Sequence, residues 1–159
     1  RSMRVPFLIR WPGRIPSRRD DLLISTPDLF PTLLDLMGFG DDIPGEVEGR
    51  SFASLFLGRA GKRPTSQLYV WVPDGQPAYG RRGVRTKRYT LVISKMPDEP
   101  TTTLLHDNVR DPYQLENVAE AFPEVVERLT EDELVPWLEE TRDPWLGTMA
   151  VKQGRLDIP

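Results

Sequence analysis

The spacing of the apolar residues changes partway along this chain, and that change limits what it can fold into. Leu29, Phe30, Leu33, Leu34, Leu36 and Met37 recur at intervals of one, three and four, which is one broad face of a helix. Beyond residue 66 the period becomes two. Leu68-Tyr-Val-Trp-Val72, Arg82 to Thr86, Tyr89 to Ser94 and Thr101 to Asp107 read as strands rich in β-branched and aromatic residues. From Phe122 the helical interval returns in Val125, Val126, Leu129, Leu134 and Leu138. The pattern predicts a small antiparallel sheet of four strands covered on one face by a C-terminal helix.

Punctuation sharpens these elements. Val5 to Arg10 is a short apolar run closed by Trp11-Pro12-Gly13, as a buried strand ending in a turn reads. Leu22-Leu-Ile-Ser25 is a second short apolar run. Thr26 is an expected N-cap, Pro27 a first helical residue, and Gly38 a C′ stop. Pro31 falls early in this helix, where a missing N–H is expected to cost least. Residues 39–66 read as a surface connection with a single helical turn, Phe52 to Leu57, and place a domain boundary near residue 62. The predicted parts are 1–62 and 63–159. Lys87-Arg88 forms a probable hairpin turn without the favoured Asn-Gly. Pro136 interrupts the last helical stretch, and Thr130-Glu-Asp-Glu133 fits a capping box, so a restart is expected there. Asp143 to Pro159 has no period and reads as an extended arm.

Composition narrows the function classes. Of 159 residues 28% are charged, and the formal net charge is −3, so the chain lacks the basic footprint of a nucleic-acid binder. No apolar run approaches the roughly 20 residues that span a bilayer. With no cysteine and one histidine, neither a Cys-ligated zinc site nor a His-rich metal site can be assembled. His106 reads as structural. Asp107, Asp111 and Glu116 lack the spacing of a calcium loop and suit turn and cap duties. The acidic run around Glu131, Asp132, Glu133, Glu139 and Glu140 reads as a solvated helix face. Asp28 complements the positive first turn of its helix.

Four segments in order carry a resemblance. They are Arg4-Val-Pro-Phe-Leu-Ile-Arg-Trp-Pro-Gly13; Ser25-Thr-Pro-Asp-Leu-Phe-Pro-Thr-Leu-Leu-Asp-Leu-Met-Gly38; Arg82-Gly-Val-Arg-Thr-Lys-Arg-Tyr-Thr-Leu-Val92; and Leu104-Leu-His-Asp107 with Asp111-Pro112 and Glu116-Asn-Val-Ala119. Together they resemble the C-terminal portion of sulfatases of the alkaline-phosphatase superfamily, of the sulfatase and phosphonate monoester hydrolase type. His106 stands where Tyr is usual, Thr90 where Lys is usual, and Ser2-Met3 where Gly-Gly often sits. The resemblance implies the last strand–helix part of a large α/β domain followed by a small α+β subdomain. It implies a hydrolase of sulfuric or phosphonate esters that uses a formylglycine-type nucleophile and calcium. It implies as partners the N-terminal catalytic portion of the same protein and a small sulfated or phosphonate ester, and it suggests a periplasmic or secreted location.

This chain has no Cys/Ser-x-Pro-x-Arg motif, and Ser17-Arg-Arg and Ser66-Gln-Leu do not provide one. No catalytic residue, metal ligand or cofactor site is therefore expected within it. One stretch carries a binding expectation: Trp71-Val-Pro-Asp-Gly-Gln-Pro-Ala-Tyr-Gly80 with Arg81 and Arg82. It offers aromatic surface in Trp71 and Tyr79, an amide in Gln76, and two guanidiniums suited to sulfate or carboxylate. The resemblance sets it at the rim of a substrate cleft, while its Pro/Gly content also suits a plain surface loop. Two function classes stay open: a C-terminal segment that completes a sulfatase-type hydrolase and shapes its pocket, and a non-catalytic interaction or carbohydrate-binding module of the same fold.

Overall fold

The computed structural model describes residues 5–152 and 155–157. Ser2-Met3 and the last two residues lie outside that range. The chain divides into two compact units, one ending at Pro64 and one beginning at Thr65.

In the first unit helix α1 spans Thr26–Leu36 and helix α2 Ala53–Phe56. The N-cap of α1 is Ser25, one residue before the expected Thr26. Asp28 closes a capping box there, its Oδ2 accepting from the Ser25 N–H and hydroxyl, each at 2.8 Å. Its Oδ1 accepts from the Arg50 N–H at 2.9 Å, and the residue is buried. Asp28 thus ties the returning chain to the helix as well as complementing its first turn. Thr32 repeats the stitch one turn later, its Oγ1 accepting from the Phe52 N–H at 3.0 Å. Residues 49–53 are therefore sewn to α1 and are not a loose surface connection.

Pro31 falls on the sixth residue of α1, where its missing N–H does remove a bond to the Pro27 carbonyl. Gly49 lies against that carbonyl so closely that a Cβ there would sit 2.0 Å from the oxygen. Gly38 ends the helix at φ +90°. Val5 to Arg10 forms no strand. A strand needs a ladder partner, and none of the described chain offers this segment an edge; Val5 and Leu8 stay exposed. Phe7 alone is anchored, stacked on Phe56 at 6.0 Å between ring centroids. The turn that follows is present, with Arg14 and Ile15 donating to the Trp11 carbonyl at 3.1 and 2.9 Å.

The second unit is a four-stranded antiparallel meander. Its strands are β1 (Ser66–Trp71), β2 (Gly80–Thr86), β3 (Tyr89–Lys95) and β4 (Thr102–Asp107), in that spatial order. Leu68, Val84, Leu91 and Leu105 stand opposite one another across the sheet. With Ile93 they form the face that meets Val125, Leu129, Leu134 and Leu138. Those four side chains come from α3 (Pro123–Leu129), a π turn (Thr130–Leu134) and α4 (Val135–Glu140). The expected restart at Thr130 does not occur, because the backbone stays helical through Val135. The wider turn delivers the Val135 N–H to the Thr130 carbonyl just before Pro136. The Thr130 hydroxyl donates back to the Val126 carbonyl at 2.8 Å. Glu133 is not a solvated residue of an acidic face: it accepts from the Thr65 and Ser66 hydroxyls at 2.9 and 2.6 Å, pinning the helical cover to the start of β1.

The segment from Asp143 departs furthest from its reading. It is no extended arm as far as Met149. Pro144–Thr148 forms a 3-10 turn, and Trp145 and Met149 are buried in the same core as Leu134 and Leu138. Two short strands, β5 (Ala150–Lys152) and β6 (Arg155–Asp157), pair after it. A single indole can anchor a segment too short to show any period.

Candidate functional site

The connection from β1 to β2 spans residues 72–79 and is shaped by local chemistry. Pro73 to Gln76 forms a turn, with Gly75 at φ +67° and the Gln76 N–H donating to the Pro73 carbonyl at 3.1 Å. Tyr79 donates its N–H to the Gln76 carbonyl at 3.0 Å. Gly80 re-enters the sheet at φ +103°, where a Cβ would lie 2.1 Å from the Trp71 carbonyl oxygen and 2.8 Å from the Pro73 ring. Only glycine fits a chain that turns back so tightly on its own strand.

Arg82 organises this connection from below. Its side chain is 1% exposed. Nη1 donates to the carbonyls of Trp71, Tyr79 and Arg81 at 3.3, 3.3 and 3.2 Å, and Nη2 to that of Pro77 at 3.0 Å. Nε and Nη2 hold the two oxygens of Asp143 at 2.6 and 2.9 Å. The Trp145 ring lies 5.5 Å from the guanidinium carbon. All five donors are engaged and the group is out of solvent. Arg82 is therefore not open to a substrate's sulfate or carboxylate, which corrects its reading as a substrate-binding residue. An arginine on the inner face of a sheet needs a counter-charge, and Asp143 supplies it.

The other four residues are more open. Trp71 and Arg81 are directly opposite each other on β1 and β2, and the Arg81 guanidinium stands 5.4 Å from the Trp71 ring. Trp71 is 43% exposed, and Arg81 and Gln76 are exposed. Tyr79 is half-buried. The structure brings Trp71 and Arg81 together as a cation–π pair on the sheet face opposite the helices, sets Gln76 at the loop tip, and separates Arg82 from both.

The remaining charged candidates do structural work. Asp107 accepts from the N–H groups of Val109 and Arg110 at 3.0 and 3.2 Å and from Arg88 at 3.1 Å. Burial pushes its carboxyl up, but the backbone bonds and the guanidinium outweigh that and leave it below the usual range. Asp111 is held low chiefly by the N–H of Glu116, with that of Leu115 adding to it. The His106 Nδ1 lies 2.6 Å from the Glu116 carbonyl, an acceptor only, so the nitrogen donates. Asn117 accepts from the Leu105 N–H at 2.9 Å and donates to the Thr103 carbonyl at 3.0 Å, standing in for a fifth strand along the edge of β4. Among the described residues no cluster of three or more His, Cys, Asp or Glu side chains could hold a metal ion. Reading by spacing missed Asp143 and Trp145. The one local signal, an Asp before a Pro as at a helix start, sits in a stretch without period.

The chain belongs to the family described as N-sulphoglucosamine sulphohydrolase, C-terminal, which it matches over residues 1–138. It is similar to an endo-4-O-sulfatase of Bacteroides thetaiotaomicron, 44% identical over 91% of this chain and 31% of that protein. It is similar to a ulvan-active sulfatase of Formosa agariphila, 34% identical over 74% of this chain and 23% of the relative. A solved structure from work on glycosaminoglycan metabolism in Bacteroides thetaiotaomicron superposes with a TM-score of 0.79 at 41% identity, covering 87% of this chain and 31% of that one. The phosphonate monoester hydrolase of Silicibacter pomeroyi shares the fold, with a TM-score of 0.65 at 21% identity over 94% of this chain and 32% of that one. The chain thus spans less than a third of these relatives and is the C-terminal part of a sulfatase fold.

Proposed function

We propose that this chain completes a sulfuric ester hydrolase and presents the Trp71–Arg81 pair, with Gln76 and Tyr79, to the part of the substrate beyond the ester. The rest of the same polypeptide is its partner and supplies the nucleophile and the metal. The residues described here do not fit the calcium or the formylglycine-type nucleophile that the resemblance implies, since the sequence has no Cys/Ser-x-Pro-x-Arg motif and the described residues have no ligand cluster. The observation that carries the rim role is the pairing itself: an exposed indole and an exposed guanidinium, held side by side on rigid strands at the mouth of a glycine-shaped loop. An indole face stacks on a sugar ring, and a guanidinium meets a sulfate or carboxylate. The family's description and the relatives' names support a sulfated saccharide as the substrate class.

A second surface supports the completing role. Phe30 and Leu33 on α1, its C-cap Met37, and Phe39 after it are 48–59% exposed. A run of large apolar side chains on one helix face is what a missing core neighbour leaves behind.

The test is steady-state kinetics of the whole polypeptide carrying Trp71→Ala or Arg81→Ala, on a sulfated disaccharide and on 4-nitrophenyl sulfate. Loss of a charge-assisted contact worth about 1.5–3 kcal/mol raises KM for the saccharide on the order of 10- to 150-fold. A contact remote from the ester acts through uniform binding and leaves kcat nearly unchanged. The aryl ester, too small to reach the rim, keeps its kinetics. Equal losses on both substrates place the damage in the fold or the centre, and unchanged kinetics on both return the loop to a plain surface.

A further inference from the structure

We propose that Asp143 is the positioning residue of this rim: through Arg82 it fixes the 72–79 loop, and with it the Trp71–Arg81 pair, in one conformation. The inference rests on the rim role proposed above. Asp143 lies beyond residue 138, where the family match ends, and touches no part of the loop itself.

The carbonyls of Pro77 and Tyr79 in the loop, and of Trp71 and Arg81 in the strands flanking it, converge on one buried guanidinium. Pro73 and Pro77 have no N–H, so the loop cannot close on itself with backbone bonds alone. Arg82 replaces them, with its donors in a fixed plane. That plane is set by Asp143, whose two oxygens clamp Nε and Nη2. The clamp is set in turn by Trp145, whose backbone N–H donates to Asp143 Oδ1 at 2.9 Å and whose buried ring lies along the guanidinium. A chain of contacts therefore runs from the Trp145 backbone through one carboxylate and one guanidinium to the loop carbonyls of Pro77 and Tyr79 and those of the flanking Trp71 and Arg81. Without Asp143 the buried guanidinium keeps its charge but loses its counter-charge, and it must turn toward water. Turning releases the carbonyls.

The experiment compares the whole polypeptide with Asp143→Asn, which keeps the shape and removes the charge, and with Asp143→Glu, which keeps the charge. Hydrogen exchange of peptides covering residues 72–80 reads loop order, and kinetics on the sulfated disaccharide and on 4-nitrophenyl sulfate reads the rim. Expected for Asp143→Asn is faster exchange in 72–80 with the strands still protected, a KM for the saccharide raised about tenfold, and aryl-ester kinetics within about twofold. Asp143→Glu is expected to recover part of both losses. Unchanged exchange in 72–80 for a folded Asp143→Asn protein overturns the positioning role, as does equal loss on the two substrates. Faster exchange with an unchanged saccharide KM also overturns it. In that case the Trp71→Ala and Arg81→Ala kinetics decide whether the rim reading falls as well: a raised KM there keeps the rim and discards only Asp143.

Discussion

Asp107 joins the end of β4 to the loop that follows, and its chemistry sets a pH dependence. Its carboxyl titrates below the usual range in the folded chain, so the folded state prefers the ionised form. The stability it contributes is fully present above the unfolded value of about 3.9 and is lost as pH falls through the folded value. Urea unfolding of Asp107→Asn should show a deficit at pH 7 that begins to close as pH falls past about 4 and is gone only below the lower folded value, where the native carboxylate is itself protonated. A deficit constant down to pH 3 would leave packing, not charge, as the cause. Gly80 makes a second prediction. At φ +103° and with the Trp71 carbonyl 2.1 Å from an added Cβ, Gly80→Ala should destabilise by at least about 2 kcal/mol. Circular dichroism with denaturant titration measures it. The turn duty of Asp107 is legible in the sequence, whereas its pairing with Arg88 and the close approach of the Trp71 carbonyl at Gly80 are not.

At the scale of elements, the four strands, α1 and the final helical stretch were legible, since each shows its own period over at least five residues. The hairpin at Lys87-Arg88 was legible despite its unfavoured residues, and the structure supplies the reason. The Thr86 hydroxyl accepts from the Tyr89 N–H at 2.9 Å and takes over part of the turn's bonding. Three features were not legible. Val5 to Arg10 looks like a strand because it is apolar, but strand formation depends on a neighbour. Thr130 fits a capping box, yet the buried side chains of Leu129 and Leu134 keep the helix running through the π turn. Pro144–Thr148 buries one residue, Trp145, with Leu146 packed partly against the same core. Trp145→Ala should therefore cost about 3–5 kcal/mol, the range for deleting a buried aromatic. A solvent-exposed arm would lose almost nothing, so the denaturation midpoint separates the two arrangements.

For the whole molecule, the chain has the outline of a completing domain: an ordered second unit with its own core, and a first unit that leaves apolar residues of α1 in the open. Limited proteolysis of the chain alone should cut within residues 39–66, at exposed stretches such as 41–42 and 59–63, before it reaches 84–105. Early cleavage inside the β2–β4 sheet would contradict this layout. The same chain should not hydrolyse 4-nitrophenyl sulfate with or without calcium, because ester cleavage needs an activated nucleophile and a charge-stabilising ion. Turnover that follows the protein through repeated purification would refute that. The sequence by itself determined the order of elements, the sheet, the family and the lack of a nucleophile motif, because period, punctuation and motif are properties of residues close together in the chain. The fate of the two neighbouring arginines was decided only by the tertiary structure. Arg81 and Arg82 alternate faces of one strand, and which face is buried depends on a helix that begins at Pro123 and a carboxylate at Asp143. A side chain 61 positions away turned one of the five predicted substrate-binding residues into the anchor of the loop; no local pattern records such a distance.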